Sequence, residues 1–417
     1  MKSRVVQISI IVAVMLVFTI CAFGGGYAIG QITSFNGNLF ANLRNSETPV
    51  TTGVNPEEEQ SLFAPFWEAW DIAHEEYLEQ PLDDNALMEG AIRGMLEAIG
   101  DPYTSYLDPA ETDDINTAMA GEYEGIGALV DTDGEYLTII SPMKGYPAEE
   151  AGLLTGDKIL MVDGEDVSGM DPDLVRLTKV MGPAGTQLVL TIQREGIEEP
   201  FEVELTRAHI VVPSVDSEVL EGGIGYIQVS MFGENTASET HDILAELLGQ
   251  GVQGIILDLR FNAGGFTDAA TRIASEFIGE GVIWYEEYGD GTLIPYEAIP
   301  GGLALDVPLV VLVNEGSASA SELLTGALQD HERAVVVGVT SFGKGLVQSW
   351  LPISNGGMVT VTIARWLTPD ERSIHGEGIT PDVVVEITEQ DLSEERDPQL
   401  DMAIQEMLRL LNDQSQN

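Results

Sequence analysis

Cysteine is almost absent: Cys21 is the only one in 417 residues. It falls in an N-terminal apolar run and reads as a lipid-facing or packing residue, because Thr19 and Ile20 before it make a poor lipoprotein cleavage signal. The rest of the chain can form no disulfide and no cysteine-held metal site. Basic residues are scarce as well. Eighteen Lys and Arg stand against 69 Asp and Glu, a formal net charge of −51. Such a surface repels nucleic acid and is not drawn to anionic lipid. The lysines are Lys2, Lys144, Lys158, Lys179 and Lys344, so the last stands alone past Lys179, between Gly343 and Gly345. No internal repeat is present.

What the chain does hold is enough apolar residue, 44%, and enough length for two or three domains. Lys2 and Arg4 precede VVQISIIVAVMLVFTICAFGGGYAIG (5–30), an uncharged run long enough to cross a bilayer. With no small-x-small cleavage site before a polar start, it reads as an anchor rather than a cleaved signal. Its flanking charges put the N-terminus in the cytoplasm and the remainder outside. The expected location is a single-pass cell-membrane protein with its globular part extracytoplasmic, or secreted if the N-terminus is removed.

Residues 31–60 are polar and read as a linker. In 61–105, apolar residues at helical spacing (Phe63, Phe66, Trp67, Trp70, Ala73, Tyr77) predict a helix with Pro65 in its first turn. A second helix is expected from about Asn85 to Ile99, with Asp84 as N-cap and Gly100 as stop. Residues 106–209 form a β-rich module of short strands and turns, with short helices near Ala148–Ala151 and Pro172–Val180. Residues 210–390 alternate strand and helix, which argues for an α/β domain. Within it VPLVVLVN (307–314) is a continuous apolar strand, as expected for one buried on both faces. Residues 391–417 form a helical tail with an amphipathic helix over Pro398–Leu411.

The stretch GSASASE (316–322) follows that apolar strand. Ser319-Ala320-Ser321-Glu322 has the spacing of a capping box. A strand that ends in a small-residue turn and opens a helix also suits a nucleophile, since the helix start offers unpaired amides and positive potential. Ser317, Ser319 and Ser321 cannot all face one site, and spacing alone does not choose among them. A serine needs a base. Of His74, His209, His241, His331 and His375, the best placed is His375, in SIHGEGITPD. Lys344, in SFGKGLVQSWL, is the other candidate, because burial among Phe342, Leu346, Val347 and Trp350 would drive the amine toward neutrality against the acidity of the chain. Gln348 could orient that amine, although a regular strand puts the two positions about 13 Å apart, a gap that a bend at Gly345 or the two long side chains must close. GVTSFGKG (338–345) nearly matches a phosphate-binding loop, but Gly345 replaces the hydroxyl residue that holds magnesium. LDLRFNAGG (257–265) reads as a strand-to-helix turn in which an amide at Gly264 or Gly265 could join that of Ala320 in an oxyanion hole, at roughly 3 kcal/mol for each donor. No cofactor and no metal is expected.

The runs DPYTSYLDPAE (101–111), GEYEGIGALV (121–130), PAEEAGLLTGDKILMVDGEDV (147–167), LDLRFNAGG, VNEGSASASE (313–322), TSFGKGLVQ (340–348) and SIHGEGITPD (373–382) together resemble the carboxyl-terminal processing, or tail-specific, proteases. The resemblance spans about 65–400, in the order of that family. It implies a helical N-terminal region, an embedded PDZ domain at 106–209 and a crotonase-like α/β protease core at 210–390. It implies a serine endopeptidase in which Ser319 is the nucleophile, Lys344 the base and Gln348 its orienting partner. It leaves the histidines without a catalytic role. It further implies that the PDZ domain takes the C-terminal tail of a protein or peptide substrate, with Gly125, Ile126 and Gly127 presenting amides to the terminal carboxylate. Dimers or higher oligomers through the terminal helices, 62–99 and 398–411, are also implied. Glu371 departs from the family, which usually has glycine there. Two rivals remain: a catalytically silent PDZ scaffold, and an acyl-transfer or isomerase enzyme of a related fold.

Overall fold

The computed structural model describes residues 56–414 except 133, 389, 392, 393 and 395. The expected anchor at 5–30 lies outside the described residues. Among the described residues no helix is long and apolar enough to cross a membrane. The longest, α1 (Pro56–Glu76), carries seven acidic residues, each costing about 2.5–3.5 kcal/mol at a bilayer centre. The fold class is corrected accordingly: the described residues form a mixed α/β protein with a β-rich module, and no transmembrane helix is found among them. The linker is shortened too. Pro56 suits a first helical position, and α1 begins there, so Pro65 sits inside the helix rather than in its first turn.

The chain forms two compact units, one ending at Asp84 and one starting at Asn85. In the first, the rings of Phe66 and Trp67 meet edge-on at 5.1 Å and Trp70 stacks on His74 at 4.9 Å, along one side of α1.

The second unit follows α2 (Asp84–Glu97) with β1 (Ser105–Leu107), α3 (Pro109–Ala120) and β2 (Glu122–Gly125). A β-rich module comes next: β3 (Ala128–Asp131), β4 (Thr138–Pro142), α4 (Pro147–Glu150), β5 (Lys158–Val162), β6 (Glu165–Asp166), α5 (Pro172–Val175), β7 (Gln187–Gln193) and β8 (Phe201–Thr206). Its sheet runs β3-β4-β5-β7-β8, with β6 also paired to β5. In β7 the alternation of QLVLTIQ turns Leu188, Leu190 and Ile192 fully inward. Strand β9 (Ala208–Val211) returns antiparallel to β2, with Glu122 opposite Val211 and Gly125 opposite Ala208.

The α/β part begins with β10 (Val215–Leu220) and β11 (Ile224–Val229), then α6 (Thr236–Gly249), β12 (Gly254–Asp258) and α7 (Thr267–Phe277). After the hairpin β13 (Val282–Tyr288) and β14 (Leu293–Glu297) come β15 (Leu309–Val313), α8 (Ala320–Asp330) and β16 (Val335–Gly338). Then follow β17 (Leu346–Pro352), β18 (Met358–Leu367), β19 (Val383–Val384) and α9 (Pro398–Gln414). One sheet has the order β10-β11-β12-β15-β16-β19 and is parallel from β11 onward. The other is antiparallel, β1-β18-β13-β14, with β17 also on β18.

The parallel sheet is buried on both faces, as its unbroken apolar strands require. Leu309, Val311 and Val313 pack with Leu244, Ile273, Leu323 and Leu324 of α6, α7 and α8. Val310, Leu312 and Ile256 face Ala403 and Met407 of α9. Gly254 lets α9 settle there: a Cβ at that residue would lie 2.2 Å from Met407 Sδ. The terminal helix is thus one layer of the core.

Candidate active site

Strands β12, β15 and β16 are parallel neighbours. The three glycine-rich stretches, LRFNAGG, NEGSASASE and VTSFGKG, all leave from their carboxyl ends, where open parallel sheets bind ligands.

The three serines of GSASASE have different surroundings. Ser317 is fully buried and its hydroxyl donates to Leu259 O at 2.8 Å. Ser321 is also fully buried and donates to Asn262 O at 2.7 Å. Ser319 alone is partly exposed. Its backbone, φ 55° and ψ −113°, is a left-handed conformation that costs a non-glycine residue about 1–3 kcal/mol. The turn is braced from both sides. Asn314 Oδ1 accepts from the amides of Phe261 and Gly316, and the Ala318 amide donates to Asn262 O at 3.0 Å.

Glu322 is the capping-box carboxylate, and Ser319 N donates to its Oε2 at 2.8 Å. That spacing accounts for one of its four bonds. Lys344 N also donates to Oε2, at 2.8 Å, while Oε1 accepts from Ser341 Oγ at 2.5 Å and from Gly343 N at 2.6 Å. The carboxylate is fully buried. The three further donors lie some twenty positions away, and only the β16 crossover brings them in.

Lys344 is half-buried, with Gly343 and Gly345 packed on the segment 375–378. A Cβ on Gly345 would come within 2.8 Å of His375 N. Burial pulls the Lys344 pKa below the ordinary lysine value, and the charge of Glu322 opposes this in part. The amine lies 5.1 Å from the centre of the Tyr103 ring. Among the described residues no hydrogen bond joins it to Ser319 or Gln348. Tyr103 belongs to the DPYTSYL run, and nothing local predicts its position. Pairing of β1 with β18, Ser105 opposite Thr360, carries it there.

Gln348 is in β17, opposite Thr362, and its Nε2 donates to Thr362 Oγ1 at 3.4 Å, a long bond. The structure therefore does not unite Gln348 with Lys344. Gly264 does meet the Ser319 turn: a Cβ there would lie 2.8 Å from Ser319 Cβ and 3.0 Å from Ala320 N. Its own amide is already committed to Asn262 Oδ1 at 2.9 Å. Gly265 is bridged to Phe232, and no acceptor for its amide appears among the described residues. Of the two glycines, Gly265 is the one with a free donor. His375 is exposed and meets Tyr103 edge-on at 6.5 Å. In the module, Ile126 is buried, its carbonyl accepts from Ala148 N at 2.8 Å, and Gly127 turns with φ 71°. Strand β3, which follows directly, is at the end of its sheet and leaves an edge for a further strand.

Comparison with known proteins matches residues 223–385 to Peptidase family S41, 138–194 to a PDZ domain and 19–112 to the Activating protease CtpB N-terminal domain. A Carboxy-terminal-processing protease of Bartonella bacilliformis is 37% identical over 353 residues, covering 84% of this chain and 80% of its own. A Carboxyl-terminal-processing protease of Synechocystis sp. is 40% identical over 323 residues, covering 76% and 75%. A crystal structure of a Bacteroides fragilis protein shares the fold with a TM-score of 0.53 at 16% identity, over 82% of this chain and 96% of that one.

Proposed function

The chain belongs to the carboxy-terminal processing proteases of peptidase family S41 and is a serine-type peptidase, and on that premise we propose that Ser319 is its nucleophile, Lys344 its general base and the PDZ module its reader of substrate tails. The observation that carries this reading is a contrast. Of three serines in one turn only Ser319 is not turned inward, and the lone lysine of the α/β part leaves the adjacent strand with its pKa lowered by burial.

The chemistry runs as acyl transfer. Ser319 Oγ attacks the scissile carbonyl carbon while its proton passes to neutral Lys344 Nζ. The oxyanion is met by the amides of Ala320 and Gly265. The C–N bond breaks as Lys344 returns the proton to the leaving amine. Lys344 then takes a proton from water, which attacks the ester carbonyl, and passes that proton to Ser319 Oγ as the C–O bond breaks and the acid product leaves. A docked substrate draws the amine from the Tyr103 ring toward Ser319, since catalytic hydrogen bonds often tighten only in the complex. The tail is held as an added strand on β3 with its carboxylate on the 125–127 turn. Gln348, tied to β18 here, orients the amine once the substrate is bound.

The test is cleavage of an unfolded protein with a free C-terminus. Lys344→Ala and Ser319→Ala should each lower turnover by about 10³-fold or more while far-UV and near-UV dichroism stay unchanged. Amidating the substrate's C-terminus should raise KM. Normal turnover by Lys344→Ala would end the dyad assignment.

A further inference from the structure

Glu322 does more than cap a helix. A fully buried carboxylate is costly unless every lone pair is met, and here four donors meet it, all from the two loops that carry the reacting groups. One oxygen takes the backbone amides of both Ser319 and Lys344. The other takes Gly343 N and the hydroxyl of Ser341, which in turn accepts from Ile379 N at 2.7 Å. A capping box needs only the first of these bonds.

Resting on the dyad reading above, we propose that Glu322 is a positioning residue of the peptidase reaction, one that locks nucleophile and base to a single carboxylate and holds its negative charge toward the Lys344 amine. The charge and the geometry act in opposite senses. The four bonds keep the Ser319 turn and the Lys344 loop in register, which favours proton transfer. The charge favours the protonated amine, which opposes it; the Lys344 pKa reports the same opposition, with burial the larger effect. The amine faces the Tyr103 ring, whose backbone amide donates to Asp101 Oδ1 and whose ring meets His375, and the segment that carries His375 and Glu377 packs on Gly345 and Gly343. Arg365 of β18 stands opposite Leu346.

The experiment compares full-chain Glu322→Gln and Ser341→Ala with the parent, reading kcat and kcat/KM against pH on an unfolded, fluorescently labelled casein. In Glu322→Gln the amide oxygen still accepts, but its NH₂ faces two amides donor against donor. Plateau kcat should fall by about ten- to a hundredfold with KM little changed. The acid limb should move to lower pH, by roughly one unit for loss of one nearby charge. Ser341→Ala keeps the carboxylate and removes a proton donor from it, so its charge is less compensated and the limb should move to higher pH. Opposite movements support the proposal. A merely structural role lowers activity and leaves the limb in place, and an unmoved limb in whichever variant folds overturns it. If Glu322→Gln does not fold, Ser341→Ala decides alone. Lys344→Ala, run beside them, separates the two readings: if it turns over normally the dyad fails, and if it is inactive while the limb stays put, only the role of Glu322 fails.

Discussion

Ser319 and Lys344, 25 positions apart in the chain, donate their backbone amides to the same oxygen of Glu322, each at 2.8 Å. The spacing of the proposed nucleophile and base is therefore a property of main chain and one buried carboxylate. Either working side chain can be replaced without disturbing what holds it.

On the proposed dyad reading the working form of Lys344 is the neutral amine, and burial places its pKa below the ordinary lysine value, which is about 10.4. Activity is lost as pH falls through that depressed pKa and is retained above it. A log kcat/KM profile should climb with unit slope on its acid side and reach a plateau below the pH expected for a free lysine. A profile flat from pH 5 to 10 would remove Lys344 from the chemistry.

Gly264 has φ 105°, and its missing side chain leaves room for Ser319 Cβ and Ala318 O, each 2.8 Å from where a Cβ would sit. Gly264→Ala should displace the Ser319 turn. The expected results are at least a hundredfold loss of turnover and about 2–4 kcal/mol of destabilisation in urea. A variant with parental kinetics would show that the two loops can part without consequence.

Glu371 has φ 56° and an exposed side chain, at a position where the family usually has glycine. Its turn is closed by bonds between Thr368 and Arg372 and between Glu371 N and Thr368 O. Glu371→Gly should relieve the left-handed strain and stabilise by about 0.5–1 kcal/mol, after the entropy that glycine loses on folding. Activity should not change. Denaturation that begins earlier than in the parent would contradict this.

Arg260 sits at the end of β12 and pairs with fully buried Asp258 at 2.6 Å and with Asp397 at 2.9 Å, just before α9. Tyr226 also donates to Asp258, at 2.7 Å. Arg260→Met would leave a buried carboxylate without its cation, a loss of about 3–5 kcal/mol. Cooperative unfolding followed by tryptophan fluorescence measures it. A loss under 1 kcal/mol would mean that α9 is held by packing alone.

Much of this arrangement was legible in the sequence because periodicity and turn residues act locally. The apolar run 309–313 read as a doubly buried strand, and helices do open after it and after LRFNAGG, where the serine turn and the glycine turn put them. What escaped was set by contacts distant in sequence. The hairpin β13–β14 and strand β1 have little patterning of their own and exist through β18. Pro65 looked like a helix start because the acidic run before it resembles a linker, yet proline and acidic residues are also good helix openers. At the site, S-x-x-E spacing revealed one bond of Glu322, while the three others come from a loop that only the sheet order brings near. Tyr103 carried no local signal at all. Gln348 shows the reverse case, a residue whose expected partner lies four positions back in the chain and whose partner here lies across the sheet.

The β2–β9 ribbon places the entry and exit of the β-rich module side by side, with Gly125 opposite Ala208. A segment whose two ends meet can be lifted out, or exchanged for another, while the flanking chain closes across a short gap. On the proposed reading, recognition and bond cleavage are thus carried by separable cassettes, and a graft at this pair of strands would hand the same cutting machinery a new set of clients.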